Sequence, residues 1–124
     1  MLSRKDYVDI RERRGHMKIY ISGGITGISN YMQRFADAEQ AISLYGHTAI
    51  NPAMANVYLA TKLSYDDVMQ MCYTQIDICD AVVFLDGWKN SKGAKLERRY
   101  AVTVGKPTYE YADFIIEQRR NRDI

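Results

Sequence analysis

The sequence has little of what would mark it as disordered, fibrous or membrane-spanning. Only two of its 124 residues are proline and eight are glycine, whereas 47% are apolar and 26% are charged. This composition is typical of one globular domain with a modest core. No apolar run approaches the roughly 20 residues of a membrane span, and the charged N-terminus has no hydrophobic signal segment. We therefore expect no membrane partner and a cytoplasmic location.

Cysteine and excess charge are also scarce. Cys72 and Cys79 fall seven residues apart on roughly one face of a predicted helix, where buried thiols in a reducing cytoplasm are commoner than a disulfide or a metal pair. His16 and His47 stand alone, so we expect no metal and no cofactor. Seventeen basic residues against fifteen acidic ones leave a net charge of +2, too little to make nucleic acid the main partner. A small molecule is the better expectation.

The apolar pattern alternates between the period of strands and the period of helices. Strands are predicted at 17–22, 47–50, 81–85 and 106–109. Helices are predicted at 31–45, 65–79, 91–105 and over the charged C-terminus. This alternation predicts an α/β fold: an open, doubly wound parallel sheet of about four to five strands in the order 2-1-3-4, flavodoxin-like or Rossmann-like, with helices on both faces.

The same pattern divides the chain. Residues 1–16 are read as a charged extension, residues 17–124 as the domain, and residues 51–63 as an open loop. Polar residues predict the helix starts: Asn30 with Gln33 in the capping-box position, Ser64 with Asp67, and Ser91.

The predicted topology places the functional site at one edge of the sheet. Ligands of open parallel sheets bind beyond the carboxyl ends of the strands, where the winding reverses, here between the first and third strands. The glycine-rich loop 22–27 lets backbone N–H groups approach a ligand, and the loop 86–93 ends at a helix N-terminus suited to an anion. A phosphorylated sugar or a nucleotide fits such a site. The candidate binding residues are Ser22, Gly23, Gly24, Ile25, Thr26, Asp86, Gly87, Trp88, Ser91 and Gly93.

Glu97 is the first candidate for chemistry. Its spacing puts it on one helical face with Ala94, Ala101 and Val104, so it is predicted to point at the core. A carboxylate there is expensive unless a partner pairs with it or a reaction uses it. The alternative is a structural carboxylate bound to a nearby arginine or tyrosine.

Two binding candidates also have simpler readings. Ser91 can be an ordinary helix N-cap. Trp88 can stack on a base or cover the edge of the core.

Several motifs resemble a known family. The segment 87–97 (Gly-Trp-Lys-Asn-Ser-Lys-Gly-Ala-Lys-Leu-Glu) is similar to a glycine-tryptophan, serine-x-glycine-alanine, glutamate signature. The opening 19–24 (Ile-Tyr-Ile-Ser-Gly-Gly), Cys79-Asp80 and 105–107 (Gly-Lys-Pro) also fit. Over about residues 17–110 the chain resembles the nucleoside 2-deoxyribosyltransferase-like superfamily, and most closely its small branch known as DUF4406.

The resemblance implies a reaction. In characterised members the glutamate matching Glu97 is the nucleophile on the anomeric carbon, and the tyrosine matching Tyr20 lies beside it. Related 2′-deoxynucleoside 5′-monophosphate N-hydrolases hold the 5′-phosphate with a serine matching Ser91 and with the first loop. The implied function is cleavage or exchange of the N-glycosidic bond of a (deoxy)nucleoside or its 5′-monophosphate by a retaining mechanism. It also implies a homo-oligomer, in which neighbours complete each other's sites.

The chain departs from the family at two positions. Cys72 stands where many catalytic members carry an aspartate, eight residues before the aspartate matching Asp80, and Thr26 replaces an arginine of the nucleotide hydrolases. No other aspartate occupies the missing position. Two alternatives therefore stay open: a nucleotide-binding or sensing module with weak or no catalysis, and a glycohydrolase of a larger NAD-like or signalling nucleotide.

Overall fold

The computed structural model describes residues 15–122. Most of the predicted extension, residues 1–14, and the last two residues lie outside this range. The elements, in chain order, are β1 (Lys18–Ser22), α1 (Tyr31–Leu44), β2 (Thr48–Ile50), α2 (Pro52–Ala55), α3 (Val57–Ala60), α4 (Tyr65–Asp77), β3 (Ala81–Phe84), α5 (Lys92–Thr103), β4 (Thr108–Glu110) and α6 (Tyr111–Arg122). A 3-10 turn, Trp88–Asn90, precedes α5. Among these helices none has the length and apolar content to cross a bilayer.

The four strands form one parallel sheet in the order β2-β1-β3-β4. The predicted α/β class, strand order and flanking helices are thereby confirmed. β1 and β3 lie side by side at the centre, with Ile19 opposite Ala81. Asp80 fixes their relative position, because its carboxylate accepts a hydrogen bond from the backbone N–H of Lys18 at 2.7 Å.

Strand alternation divides the core between the two faces of the sheet. Successive side chains of a strand point to opposite faces. Ile19 and Ile21 of β1 therefore pack with the cluster that holds the buried residues of α1 and α6. Tyr20 belongs to the other cluster, with the buried residues of α4 and α5. The strand period thus assigns Tyr20 and Ser22, two residues apart, to the face covered by α4 and α5.

Two of the three predicted caps are confirmed and one is wrong. The hydroxyls of Ser64 and Ser91 each accept a hydrogen bond from the N–H three residues on, at 3.1 Å. Asn30 precedes α1 but makes no side-chain cap. The amide of Gln33 donates to Asp37 at 2.7 Å instead of closing a capping box, because residues four apart are neighbours on a helix surface.

The prediction of an open loop at 51–63 is wrong, because α2 and α3 form within it. The Asn51 side chain accepts from the N–H of Met54 at 3.1 Å, and Pro52 occupies the first turn of α2. Proline suits that position, since its missing N–H would have had no helical partner. The asparagine-proline pair that was read as a loop signal is therefore a helix start. Val104 also differs from its prediction, because it is 42% exposed beyond the end of α5.

Candidate functional site

A cavity of about 830 Å³ opens beside the carboxyl end of β1. This volume lies within the range of small-molecule sites. The first loop, the start of α5, and residues of α1, α2, α3 and α4 form its walls. It lies beside the central strands, at the edge of the sheet that the topology predicts for a ligand. Gly23, Ile25, Thr26, Ser91 and Gly93 of the predicted site line it.

Glu97 lies in the wall of this cavity. It is only 6% exposed, and both of its carboxylate oxygens accept hydrogen bonds. The Tyr20 hydroxyl donates to Oε2, and the Ser22 hydroxyl donates to Oε1 at 2.8 Å. The prediction that Glu97 points inward is confirmed by this burial, and the carboxylate is held in one orientation by two groups on β1.

Burial changes the acidity of this group. Removal from water raises the pKa of Glu97 from 4.5 to about 7, although the hydrogen bonds from Tyr20 and Ser22 act in the opposite direction. Burial, followed by the nearby charge of Glu97, raises the pKa of Tyr20 well above its usual value. Tyr20 is therefore a hydrogen-bond donor at neutral pH, whereas Glu97 is close to half ionised. A carboxyl group poised in this way is suited to reaction.

Cys72 lies in the same cavity, next to Glu97. Its thiol is a further hydrogen-bond partner of the Glu97 carboxylate. Burial, with a smaller effect of the Glu97 charge, raises the pKa of the Cys72 thiol to about 11, so the thiol is neutral at physiological pH. Neither cysteine within residues 15–122 forms a disulfide, and both are buried.

Gly23 and Gly24 behave differently in the first loop. A Cβ at Gly23 would lie 3.1 Å from the buried side chain of Leu85, whereas one at Gly24 would have its nearest neighbour, in Ile28, at 3.4 Å. Gly23 is therefore required for close packing of the loop on β3. Gly24 does not line the cavity wall, but the residues after it, Ile25 and Thr26, do.

Three predicted residues lie outside the cavity lining. The carbonyl of Asp86 accepts a hydrogen bond from Arg34 at 2.6 Å. Gly87 has a φ of 84° and starts the 3-10 turn, a conformation that favours glycine. The Trp88 ring packs 4.9 Å from that of Phe84, and its indole N–H donates to Glu110. Trp88 thus covers the edge of the core in this structure.

Other cavity residues were absent from the sequence prediction. Asn56 is buried to 7% exposure and contacts Cys72; the open-loop reading of its segment concealed it. Lys92 lies at the start of α5, with its ammonium 5.4 Å from the centre of the Tyr65 ring. The helix starts at Ser64 and Ser91 identified both positions as first-turn residues. Their shared cavity follows only from the packing of α4 against α5.

Within residues 15–122 no group of three or more histidine, cysteine or acidic side chains is arranged to hold a metal ion. The polar groups that converge on the cavity are hydroxyls, a thiol, amides and one carboxylate, together with an ammonium at the rim.

The fold and site define a parallel α/β protein with a buried carboxylate in a cavity at the switch point of its sheet. More narrowly, the chain belongs to the family described as Domain of unknown function (DUF4406), whose model matches residues 17–109. No curated protein matches the sequence. The family match begins where the predicted domain begins.

Proposed function

We propose that this protein cleaves or exchanges the N-glycosidic bond of a (deoxy)nucleoside or a nucleoside 5′-monophosphate, with Glu97 as the nucleophile. The observation that carries the proposal is the Glu97 carboxylate, buried in the cavity wall with Tyr20 and Ser22 donating to its two oxygens. The resemblance of the chain to the nucleoside 2-deoxyribosyltransferase-like superfamily supports the same role for Glu97 and Tyr20.

The proposed reaction proceeds through a covalent intermediate. A Glu97 oxygen attacks the anomeric carbon, the carbon–nitrogen bond breaks, and the base leaves with the bonding electrons and takes up a proton. Water or a second base then attacks the same carbon and releases Glu97. Glu97 is the one aspartate or glutamate among the cavity residues that the structure describes. This favours attack by the carboxylate itself over an inverting mechanism, which needs two carboxyl groups around a water.

The start of α5 is the proposed position of a 5′-phosphate. The first N–H groups of a helix have no partner within it, and they attract anions. Ser91, Lys92 and Gly93 line the cavity at this point. Six residues of helix separate Ser91 from Glu97, roughly 9 Å at 1.5 Å per residue, which leaves room for a pentose between them. Aromatic walls from Tyr31 and Phe35 suit the base.

Lys92→Met tests the phosphate position. The substitution should raise KM for a nucleoside 5′-monophosphate and leave KM for the free nucleoside unchanged, because only the monophosphate presents an anion to the ammonium. Lys89→Met, at a lysine outside this cavity lining, is the matched control. Equal effects of Lys92→Met on both substrates would contradict the proposed phosphate position.

One observation favours a second candidate, a nucleotide-binding module with little catalysis. The departing base needs a proton, and the position where relatives carry an aspartate holds the neutral thiol of Cys72. The cavity, at about 830 Å³, also has the capacity for a larger NAD-like nucleotide.

The deciding experiment incubates the protein with ribo- and deoxyribonucleosides, their 5′-monophosphates and NAD, and separates free base by chromatography. Glu97→Gln is the test variant. Glu110→Gln is the matched control, because Glu110 accepts from Trp88 outside the cavity lining. We expect base release that is lost in Glu97→Gln and retained in Glu110→Gln. Saturable binding with no release from any compound would support the binding module instead.

We also propose a homo-oligomer. Large apolar side chains are exposed on α2 and α3 near the cavity: Met54 at 58%, Tyr58 at 68% and Leu59 at 40%. A second copy would remove this surface from water. Light scattering at micromolar concentration should give the mass of a dimer or larger, and a monomer would contradict the proposal.

A further inference from the structure

A pair of buried amides stands behind the cysteine of the site. The side chains of Asn56 and Gln75 donate to each other, with nitrogen–oxygen distances of 3.0 Å and 2.9 Å. Each amide thus uses its oxygen and one N–H in a closed pair. Because Asn56 is only 7% exposed, this pair fixes the plane of its amide and leaves its second N–H to another partner.

That partner is the sulfur of Cys72. The Asn56 amide nitrogen lies 3.8 Å from Sγ and donates to it. A thiol has one hydrogen to give and can accept weakly at sulfur. Because the amide donates to the sulfur, the thiol hydrogen is left for a neighbouring acceptor. The Glu97 carboxylate is the ionisable hydrogen-bond partner beside it.

We propose that Cys72 is a positioning residue that donates its S–H to the Glu97 carboxylate, and that the Asn56–Gln75 pair sets the direction of this hydrogen bond. The chain of donors then runs from Gln75 through Asn56 and Cys72 to Glu97. The inference rests on the proposed function for its catalytic meaning, because Glu97 is the reacting group there. The hydrogen bond itself can be tested without any substrate.

The donor count gives this bond a consequence for the reaction. A carboxylate offers about four acceptor positions on its two oxygens. Tyr20, Ser22 and Cys72 occupy three of them. One position is left for the anomeric carbon, so Cys72 restricts the direction from which Glu97 attacks. The pKa of about 11 for Cys72 keeps it a thiol, and hence a donor rather than a competing nucleophile.

The S–H stretching band in the infrared spectrum reads the bond directly, because its frequency falls when the thiol donates more strongly. A Cys79→Ala background leaves Cys72 as the single thiol, since the chain has two cysteines. We expect the band to move to lower frequency as Glu97 ionises near pH 7, and to lose this pH dependence in Glu97→Gln. A band that ignores Glu97 overturns the proposal, and one that responds only to Asn56→Leu shows the thiol donating to the amide instead.

The titration of Glu97 gives a second readout. Cys72→Ser and Cys72→Ala leave side chains of similar size, but only serine has a donor. In carbon-13 NMR titrations of the Glu97 carboxyl, Cys72→Ala should raise the pKa by about one unit, a tenfold loss of ionised carboxylate near neutral pH. Cys72→Ser should stay close to the parent. Equal pKa values in the serine and alanine variants overturn the proposal. Loss of base release in Glu97→Gln is a separate result, so the two ideas can fail independently.

Discussion

Replacement of Glu97 by glutamine should stabilise the folded protein at alkaline pH. Glutamine keeps the shape of the side chain and removes its charge. The hydroxyls of Tyr20 and Ser22 can each donate or accept, so both can bond to the new amide. A carboxylate held for stability would lose its contribution on this change, whereas one held for chemistry against the cost of burial would not.

The magnitude follows from the pKa of Glu97, which is about 7 in the folded protein against an ordinary value of 4.5. Between these values the folded protein binds a proton that the unfolded chain has released, so the free energy of unfolding falls as pH rises. The contribution is fully present below about pH 4.5 and is lost as pH rises through about 7. At about 1.4 kcal/mol per pH unit, the total is about 3 kcal/mol.

Urea denaturation at pH 5, 6, 7 and 8 measures this effect as the difference in unfolding free energy between Glu97→Gln and the parent. We expect the difference to grow by about 3 kcal/mol in favour of the variant across this range and its acidic margin. Glu110→Gln, the same change at an exposed carboxylate, should show no comparable slope. A constant difference, or one that favours the parent increasingly as pH rises, would refute the reasoning and return Glu97 to a structural role.

Three other substitutions test separate parts of the site. Tyr20→Phe removes a donor to a charged group, so it should raise the pKa of Glu97 by about 1 to 2 units in the same NMR titration; an unchanged pKa would contradict the hydrogen bond. Gly23→Ala should lower the free energy of unfolding by about 1 to 3 kcal/mol, because its Cβ would crowd Leu85 at 3.1 Å. Gly24→Ala, with its nearest neighbour at 3.4 Å, should cost less, and equal losses would count against this packing. Trp88→Phe should leave KM for nucleotides unchanged, because Trp88 packs on Phe84 outside the cavity lining; a large rise in KM would place its ring against the substrate.

The sheet was predictable because its signals are local. A run of buried strand residues such as 81–84 and a cap such as Ser91 each depend on neighbours in the chain. The strand period also carries information about the site, since Tyr20 and Ser22 had to share a face. The burial of Glu97 was predictable for the same reason, from helical spacing.

What the sequence did not reveal depends on contacts between distant segments. Asn56, Cys72 and Gln75 come from a connecting segment and from α4, and they meet only because that segment folds into short helices against α4. Trp88 was misleading in another way, because its position after β3 is compatible with either a ligand or Phe84 as its neighbour. Only the orientation of the ring distinguishes the two.

The measurement that tests the central claim most directly is mass spectrometry of the protein after acid quenching during turnover of the nucleotide that releases base fastest. We predict a peptide containing Glu97 that carries the mass of one glycosyl group, absent in Glu97→Gln and present in Glu110→Gln. Base release that persists in Glu97→Gln with no glycosyl group on this peptide would contradict the assignment of Glu97 as the nucleophile.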